Sequence, residues 1–163
     1  MRLQVSLPLA EANLIADEAL RLGREEELLP LTVVILDAGG KLVVSKCEDG
    51  SGIMRFDVAY GKAWGALGMG ISSRLIRDRL SSRPTFQSAL ATASHGRLIP
   101  VPGGVLVRNA DNITIGAVGI SGDTSDKDEY CAIEAIRISG LLSEPAEPAP
   151  DWRASSLSDH YPD

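Results

Sequence analysis

A glycine-rich turn that joins an apolar strand to a helix is the feature that most constrains the fold of this chain. The segment Gly116–Glu129 begins with small and β-branched residues, passes through Gly119 and Gly122, and ends in an acidic run. Glycines permit close backbone approach, and acidic residues suit the positive end of a helix dipole. The segment therefore predicts a buried strand, a tight turn and a helix that begins at Ser125.

Hydrophobic periodicity predicts the other elements. Helices are predicted over residues ~8–23, 53–69, 73–80 and 84–93, and hairpin turns at residues 37–40 and 109–112. Hairpins impose antiparallel pairing, and the unbroken apolar run Leu31–Leu36 is typical of a strand that is covered on both faces. The sequence therefore predicts a three-layer α/β/α sandwich with an antiparallel sheet of four or five strands.

The last predicted helix carries apolar residues on more than one face. One face must meet the sheet, and the other would meet a second internal element or another subunit, of which the subunit interface is favoured. A single domain is predicted over residues 1–143. Prolines and polar residues indicate an extended or disordered tail over 144–163, in which Trp152 would dock on the body or on a neighbouring subunit.

Composition excludes several classes of partner. The net charge is −6 and no block of Lys or Arg occurs, so no nucleic-acid partner is expected. No apolar run is long enough to span a bilayer and no secretory signal is evident, which favours a cytoplasmic protein without a membrane partner. In that reducing compartment, Cys47 and Cys131 are predicted to be buried thiols and not a disulfide.

Four short motifs occur in an order and spacing that resemble one known family. They are Asp37-Ala38-Gly39-Gly40, Lys62-Ala63, Pro102-Gly103-Gly104-Val105, and Gly116 to Gly122 followed by Asp128-Glu129. They are similar to the "DAGG", "KA", "PGGV" and "GAIGVSG…DE" motifs of the GlcG/HbpS family, also called the PduO C-terminal-like or haem-degrading-domain family. The resemblance covers residues ~5 to ~142 and implies a profilin-like fold.

The resemblance also implies a function. Members of this family are homo-oligomers, often octamers, and several bind haem or assist its degradation. By resemblance, this chain would be a homo-oligomer (tetramer or octamer) that binds a small molecule or a tetrapyrrole, with haem as the possible cofactor. The chain departs from the family pattern at Trp64-Gly65-Ala66, and at Leu106 and Arg108 after the second glycine turn. A pocket altered at these positions need not hold the same ligand.

The resemblance places the pocket between the mid-chain helix, the second glycine turn and the start of the last helix. The residues predicted to bind a ligand or cofactor are Lys62, Pro102, Gly103, Gly104, Ser121 and Gly122; the candidate catalytic residues are His95, Arg108, Asp128 and Glu129. In the family arrangement Lys62 and Arg108 flank one cleft, where the arginine fork would suit a carboxylate. The sequence identifies no metal.

Several alternatives stay open at this point. Helix capping accounts for the acids between 123 and 129 without any ligand, and charges on a helix or a hairpin are commonly solvated or paired. His95 and His160 are the two histidines available to haem iron, but a histidine at a helix end commonly interacts with the helix dipole. The stripe Phe56, Tyr60 and Trp64 is predicted to be core packing. An enzyme acting on a carbonyl or carboxylate, or a non-catalytic accessory subunit, would also fit the sequence.

Overall fold

The structure, a computed structural model, describes residues 3–157 as five α-helices, five strands and one short 3-10 helix. His160 lies outside the described residues. The helices and strands are α1 (Leu9–Glu25), β1 (Thr32–Asp37), β2 (Leu42–Cys47), α2 (Arg55–Met69), α3 (Ser73–Leu80), α4 (Pro84–Ala93), β3 (Gly104–Arg108), β4 (Thr114–Ser121), α5 (Ser125–Ile138) and β5 (Leu142–Glu144). The predicted bounds of α3 and α4 match those in the structure.

The five strands form one antiparallel sheet in the order β2–β1–β4–β3–β5. Helices α1 and α5 cover one face and α2 covers the other, so the predicted three-layer sandwich is confirmed. The alternation of side chains along strand β1 accounts for the apolar residues on both faces of the sheet. Val33 and Ile35 pack toward α1 and α5, whereas the alternate residues Val34 and Leu36 pack toward α2.

Helix α2 lies unusually close to the sheet because glycines stand beneath it. A Cβ atom at Gly119 of β4 would lie 1.9 Å from the carbonyl oxygen of Ala59. Gly104 of β3 is paired with Gly119 in the sheet, and a Cβ there would lie 2.3 Å from the carbonyl oxygen of Lys62. This glycine pair, Gly104 and Gly119, therefore fixes the height of α2 above the sheet.

The second apolar face of α5 is covered within the chain. Ile133 and Ile136 are buried in the same core cluster as Ile15 of α1, so an internal contact covers these residues and not the subunit interface that the sequence favoured, whereas Ile138 at the end of α5 stays exposed. The stacked rings of Tyr130 and Trp152 lie 3.7 Å apart between centroids, so Trp152 docks on the body of its own chain. The helix begins at Ser125 as predicted.

The two cysteines are both free but differ in environment. Cys131 on α5 is buried, as predicted, and burial raises the pKa of its thiol well above the ordinary range. Cys47, at the end of the edge strand β2, is exposed, which corrects the prediction that both thiols are buried. Its neighbour in sequence, Lys46, faces α1 and pairs with Asp17, so the alternation of the strand turns Cys47 away from that contact.

Candidate functional site

Lys62, Asp128 and the second glycine turn converge, as the resemblance implied, around a buried ion pair. Lys62 Nζ lies 2.9 Å from Asp128 Oδ2 and donates a further hydrogen bond to the carbonyl oxygen of Ile120 at 2.8 Å. Asp128 Oδ1 accepts a hydrogen bond from the backbone N–H of Asp123 at 3.1 Å. Burial raises the pKa of Asp128, and the Lys62 ammonium group opposes that shift.

The space around this pair is filled by the protein itself. A Cβ atom at Gly103 would lie 2.9 Å from Lys62 Nζ, and Pro102 is buried beside it. Gly104 is held by Ser73, whose hydroxyl accepts a hydrogen bond from the Gly104 N–H at 2.7 Å. The predicted ligand-binding residues are thus brought together, but in a closed arrangement whose polar groups already have partners.

Ser121 and Gly122 continue the same closed region. Ser121 is buried and its hydroxyl accepts a hydrogen bond from Arg55 Nη1 at 3.3 Å. A Cβ at Gly122 would lie 2.5 Å from the carbonyl oxygen of Pro30, so this glycine is required for a close approach of two backbone segments. Thr124 caps α5 by accepting from the Lys127 N–H at 3.4 Å. Thr124, immediately before Ser125, is therefore the N-cap residue of α5.

Glu129 is the one buried carboxylate in the described residues whose side-chain oxygens lack a hydrogen-bond partner. Arg74 on α3 lies beside it, with Nε 3.3 Å from Glu129 Oε2. Burial raises the pKa of Glu129 to about 7. The cations Arg74 and Arg77 oppose this shift, while the acids Asp126 and Glu144 reinforce it. Glu129 is therefore a group that titrates near neutral pH inside the fold.

The raised pKa of Glu129 predicts a pH-dependent contribution to stability. The native state keeps a proton that the unfolded state releases above the ordinary pKa of 4.5. The contribution is fully present below pH 4.5 and is lost as the pH rises to about 7. Glu129→Gln cannot ionise, so its free energy of unfolding is expected to rise relative to wild type by on the order of 2–3 kcal/mol across that interval.

Urea denaturation at a series of pH values measures this difference. Glu134→Gln, which removes a part-exposed carboxylate from the same helix, is the matched control for the substitution itself. A difference between Glu129→Gln and wild type that stays constant with pH would contradict the assignment.

Arg108 lies away from the Lys62 cluster. It ends β3, four residues beyond Gly104, which corresponds to a separation of roughly 13 Å along an extended strand. Its Nη1 donates a hydrogen bond to Asn112 Oδ1 at 3.2 Å in the adjacent hairpin turn. The single cleft with Lys62 and Arg108 on its two sides is therefore not formed within this chain, because the two residues approach opposite ends of β3.

His95 borders a different site, an open hollow of about 260 Å³ between α2 and the segment that follows α4. Its lining residues are Met54, Asp57, Val58, Tyr60, His95, Gly96, Arg97 and Ile99. His95 is exposed and follows the end of α4 with a φ of 52°, and Gly96 after it has a φ of 75°. These two left-handed residues turn the chain back across α2.

Glycines in α2 let this returning segment approach. A Cβ atom at Gly61 would lie 2.3 Å from the carbonyl oxygen of Arg97, and one at Gly65 would lie 3.3 Å from Leu98. The Ile99 N–H also donates to the carbonyl oxygen of Gly61 at 3.4 Å. Gly61 and Gly65 thus fix the position of the His95 segment, because they permit this close approach.

Sequence reasoning missed two charged residues of this hollow: Asp57 on α2, and Arg97, which neighbouring groups hold in place. The guanidinium group of Arg97 lies 4.2 Å from the centre of the Trp64 ring, and its Nε donates to the carbonyl oxygen of Ser94 at 3.1 Å. Tyr60 and Trp64 pack at the edge of the α2 core, as predicted for the aromatic stripe. The sequence signal available was the proximity of Arg97 to His95, two residues apart.

Two further kinds of site are absent from the described residues. No cluster of three or more His, Cys, Asp or Glu side chains suited to a metal ion occurs among residues 3–157. In the same described part of the chain, none of the helices combines the length and apolar character that crossing a membrane requires.

The fold and its sites define a small profilin-like α/β/α domain. The family model described as haem-degrading protein HbpS-like matches residues 7–137, so this chain belongs to the HbpS-like family. No match was found among curated protein sequences.

Solved structures of similar proteins agree with the fold. PduOC, solved as a complex with haem, has a TM-score of 0.77 at 24% identity, covering 86% of this chain and 99% of its own. ORFY from Klebsiella pneumoniae has a TM-score of 0.75 at 23% identity, covering 86% and 94%. A double mutant of HbpS from Streptomyces reticuli has a TM-score of 0.71 at 23% identity, covering 85% and 90%. At these identities the similarity establishes the shared fold.

Proposed function

We propose that this protein binds a haem-type tetrapyrrole in the hollow beside α2, with His95 as the ligand of the iron. The observation that carries the proposal is the position of His95, an exposed imidazole at the border of a hollow with apolar walls. Neutral imidazole is a common ligand of haem iron. Membership of the HbpS-like family and the haem complex of the similar protein PduOC support the same ligand class.

The residues of the hollow fit such a ligand. Val58 and Ile99 supply apolar walls, Tyr60 supplies an aromatic edge, and Met54 stands at the rim with 68% of its surface exposed. The volume of about 260 Å³ lies slightly below that of pockets that enclose drug-sized ligands. One edge of a planar macrocycle would therefore enter the hollow while the remainder stays accessible. Haem, when bound, would supply redox chemistry at its iron, and His95 would hold and orient it.

The same proposal includes assembly into a homo-oligomer, a tetramer or octamer, and a cytoplasmic location. Ile53 and Met54 support assembly, because both are large apolar residues exposed immediately before α2, with 95% and 68% of their surfaces accessible. Sedimentation of the purified protein measures the subunit number. A monomer at all concentrations would contradict this part of the proposal.

Titration of the purified protein with hemin tests the function. Wild type is expected to give a saturable, sharp Soret band. His95→Ala is expected to weaken binding by more than about tenfold, because the iron loses its protein ligand. The absorption spectrum and the dissociation constant are recorded together, so that loss of ligation is distinguished from loss of binding.

Cys47→Ala is the matched control for this experiment. Cys47 is exposed and lies at the end of β2, and a thiolate can also coordinate haem iron. The control is expected to retain the wild-type spectrum and affinity. A Soret band that survives in His95→Ala but disappears in Cys47→Ala would reject His95, and the absence of any saturable band would reject haem as the ligand.

A further inference from the structure

Arg97 has the geometry of a prearranged anion-binding group. The ring of Trp64 supports the guanidinium plane from one side at 4.2 Å, and the Ser94 carbonyl oxygen accepts from Nε at 3.1 Å. These two contacts restrict a side chain that is otherwise among the most flexible. Arg97 therefore loses less conformational entropy than a free surface arginine when it binds a ligand.

The terminal nitrogens of Arg97 are not used by the described protein. Its only side-chain hydrogen bond within residues 3–157 is the one from Nε, and it forms no ion pair there. Arg97 lines the same hollow as His95, with one residue, Gly96, between them. Two free N–H groups in a fixed plane match the two oxygens of a carboxylate. His95 and Arg97 thus line the hollow from one short segment, and the Arg97 guanidinium, held over Trp64, has no ion-pair partner within residues 3–157.

We propose that Arg97 binds a carboxylate of the ligand and selects tetrapyrroles that carry free carboxylates over neutral ones. This inference rests on the proposed function, since it assigns a second contact to the same ligand. A second charged residue of the hollow restricts where the carboxylate of the ligand can lie. Asp57 of α2 also lines the hollow and forms no ion pair with Arg97, and its negative charge would repel a carboxylate that is misplaced toward α2. Asp57 and Arg97 together orient the acidic edge of the ligand toward the 95–99 segment.

Four ligands separate the role of Arg97 from that of His95. They are hemin, iron-free protoporphyrin IX, and the dimethyl ester of each, which differ independently in iron and in free carboxylates. Arg97→Gln is expected to weaken binding of the two acids about fivefold and leave the two esters unchanged. His95→Ala is expected to weaken only the two iron-containing ligands.

Two further variants test which physical property causes the preference for ligands with free carboxylates. Arg97→Lys keeps the charge but not the fork, and is expected to recover only part of the preference for acids. Asp57→Asn removes the opposing charge, and is expected to tighten binding of the acids about twofold without affecting the esters. Thermal unfolding of each variant verifies that the fold is retained despite the altered contact with Trp64.

The outcomes distinguish the two proposals. Equal weakening of acids and esters in Arg97→Gln would overturn the inference, because Arg97 would then act through packing on Trp64. An unchanged affinity for the acids would overturn it as well. Saturable binding of hemin that depends on Arg97 but not on His95 would support the inference and reject His95 as the iron ligand. Failure of all four ligands to bind would overturn both.

Discussion

Replacement of Gly119 by alanine is expected to lower the free energy of unfolding by about 3 kcal/mol. The new Cβ would lie 1.9 Å from the carbonyl oxygen of Ala59 and 2.8 Å from its carbonyl carbon. Neither partner can yield easily. Gly119 lies on β4, which is paired with strands on both sides, and the obstructing atoms belong to the backbone of α2. The helix must therefore move away from the sheet and lose apolar contacts along its length.

Gly68→Ala is the matched control for this prediction. Gly68 lies in α2 itself, but no atom is within 4 Å of the position that its Cβ would occupy. Alanine is a better helix former than glycine, so this variant is expected to gain about 0.5–1 kcal/mol. Urea denaturation of both variants measures the two effects. A Gly119→Ala variant as stable as wild type would show that α2 does not lie as close to the sheet as described.

Replacement of Lys62 by methionine is expected to lower the free energy of unfolding by about 3–5 kcal/mol at neutral pH. Methionine fills a similar volume, but Asp128 is then left as a buried carboxylate without its cation. The side chains of Lys62 and Asp128 are only 2% and 1% exposed, so water cannot take the place of the ammonium group. The carbonyl oxygen of Ile120 also loses the hydrogen bond that Lys62 donates to it.

The double variant Lys62→Met with Asp128→Asn separates charge from packing. The asparagine side chain carries no charge and its amide oxygen can still accept from the Asp123 N–H, so most of the lost stability is expected to return. If the double variant were as unstable as Lys62→Met, the unpaired charge would not be the cause. Hemin titration of the folded double variant also tests the prediction that Lys62 binds a ligand. Unchanged affinity would restrict Lys62 to a structural role.

The layered fold could be predicted because its signals are local. The continuous apolar run of β1 required cover on both faces, and proline at 84 and serine at 72 define helix starts that need no tertiary information. The exposure of Cys47 depends on which strand ends the sheet. The order of the strands in the sheet follows from tertiary packing and not from the sequence of β2.

The candidate site was harder to predict because it depends on distances between elements. Lys62 and Asp128 were identified correctly as neighbours of the glycine turn, but the sequence could not show that their charges satisfy each other. Arg108 was assigned to the same cleft through the resemblance, whereas the direction of β3 carries it to the far end of the strand. Arg97 was missed because its contact with Trp64 depends on a close approach at Gly61 that only the packed backbone reveals.

The positions of the two tryptophans give the chain a built-in pair of optical probes. Trp64 lies on the α2 side of the sheet beneath Arg97, whereas Trp152 stacks on Tyr130 on the α5 side. In a Trp152→Phe variant, indole fluorescence would come from Trp64 alone and would be quenched by energy transfer to a porphyrin bound nearby. In a Trp64→Phe variant, the emission would instead follow detachment of the C-terminal segment. Ligand binding and release of that segment can thus be followed separately without an attached label.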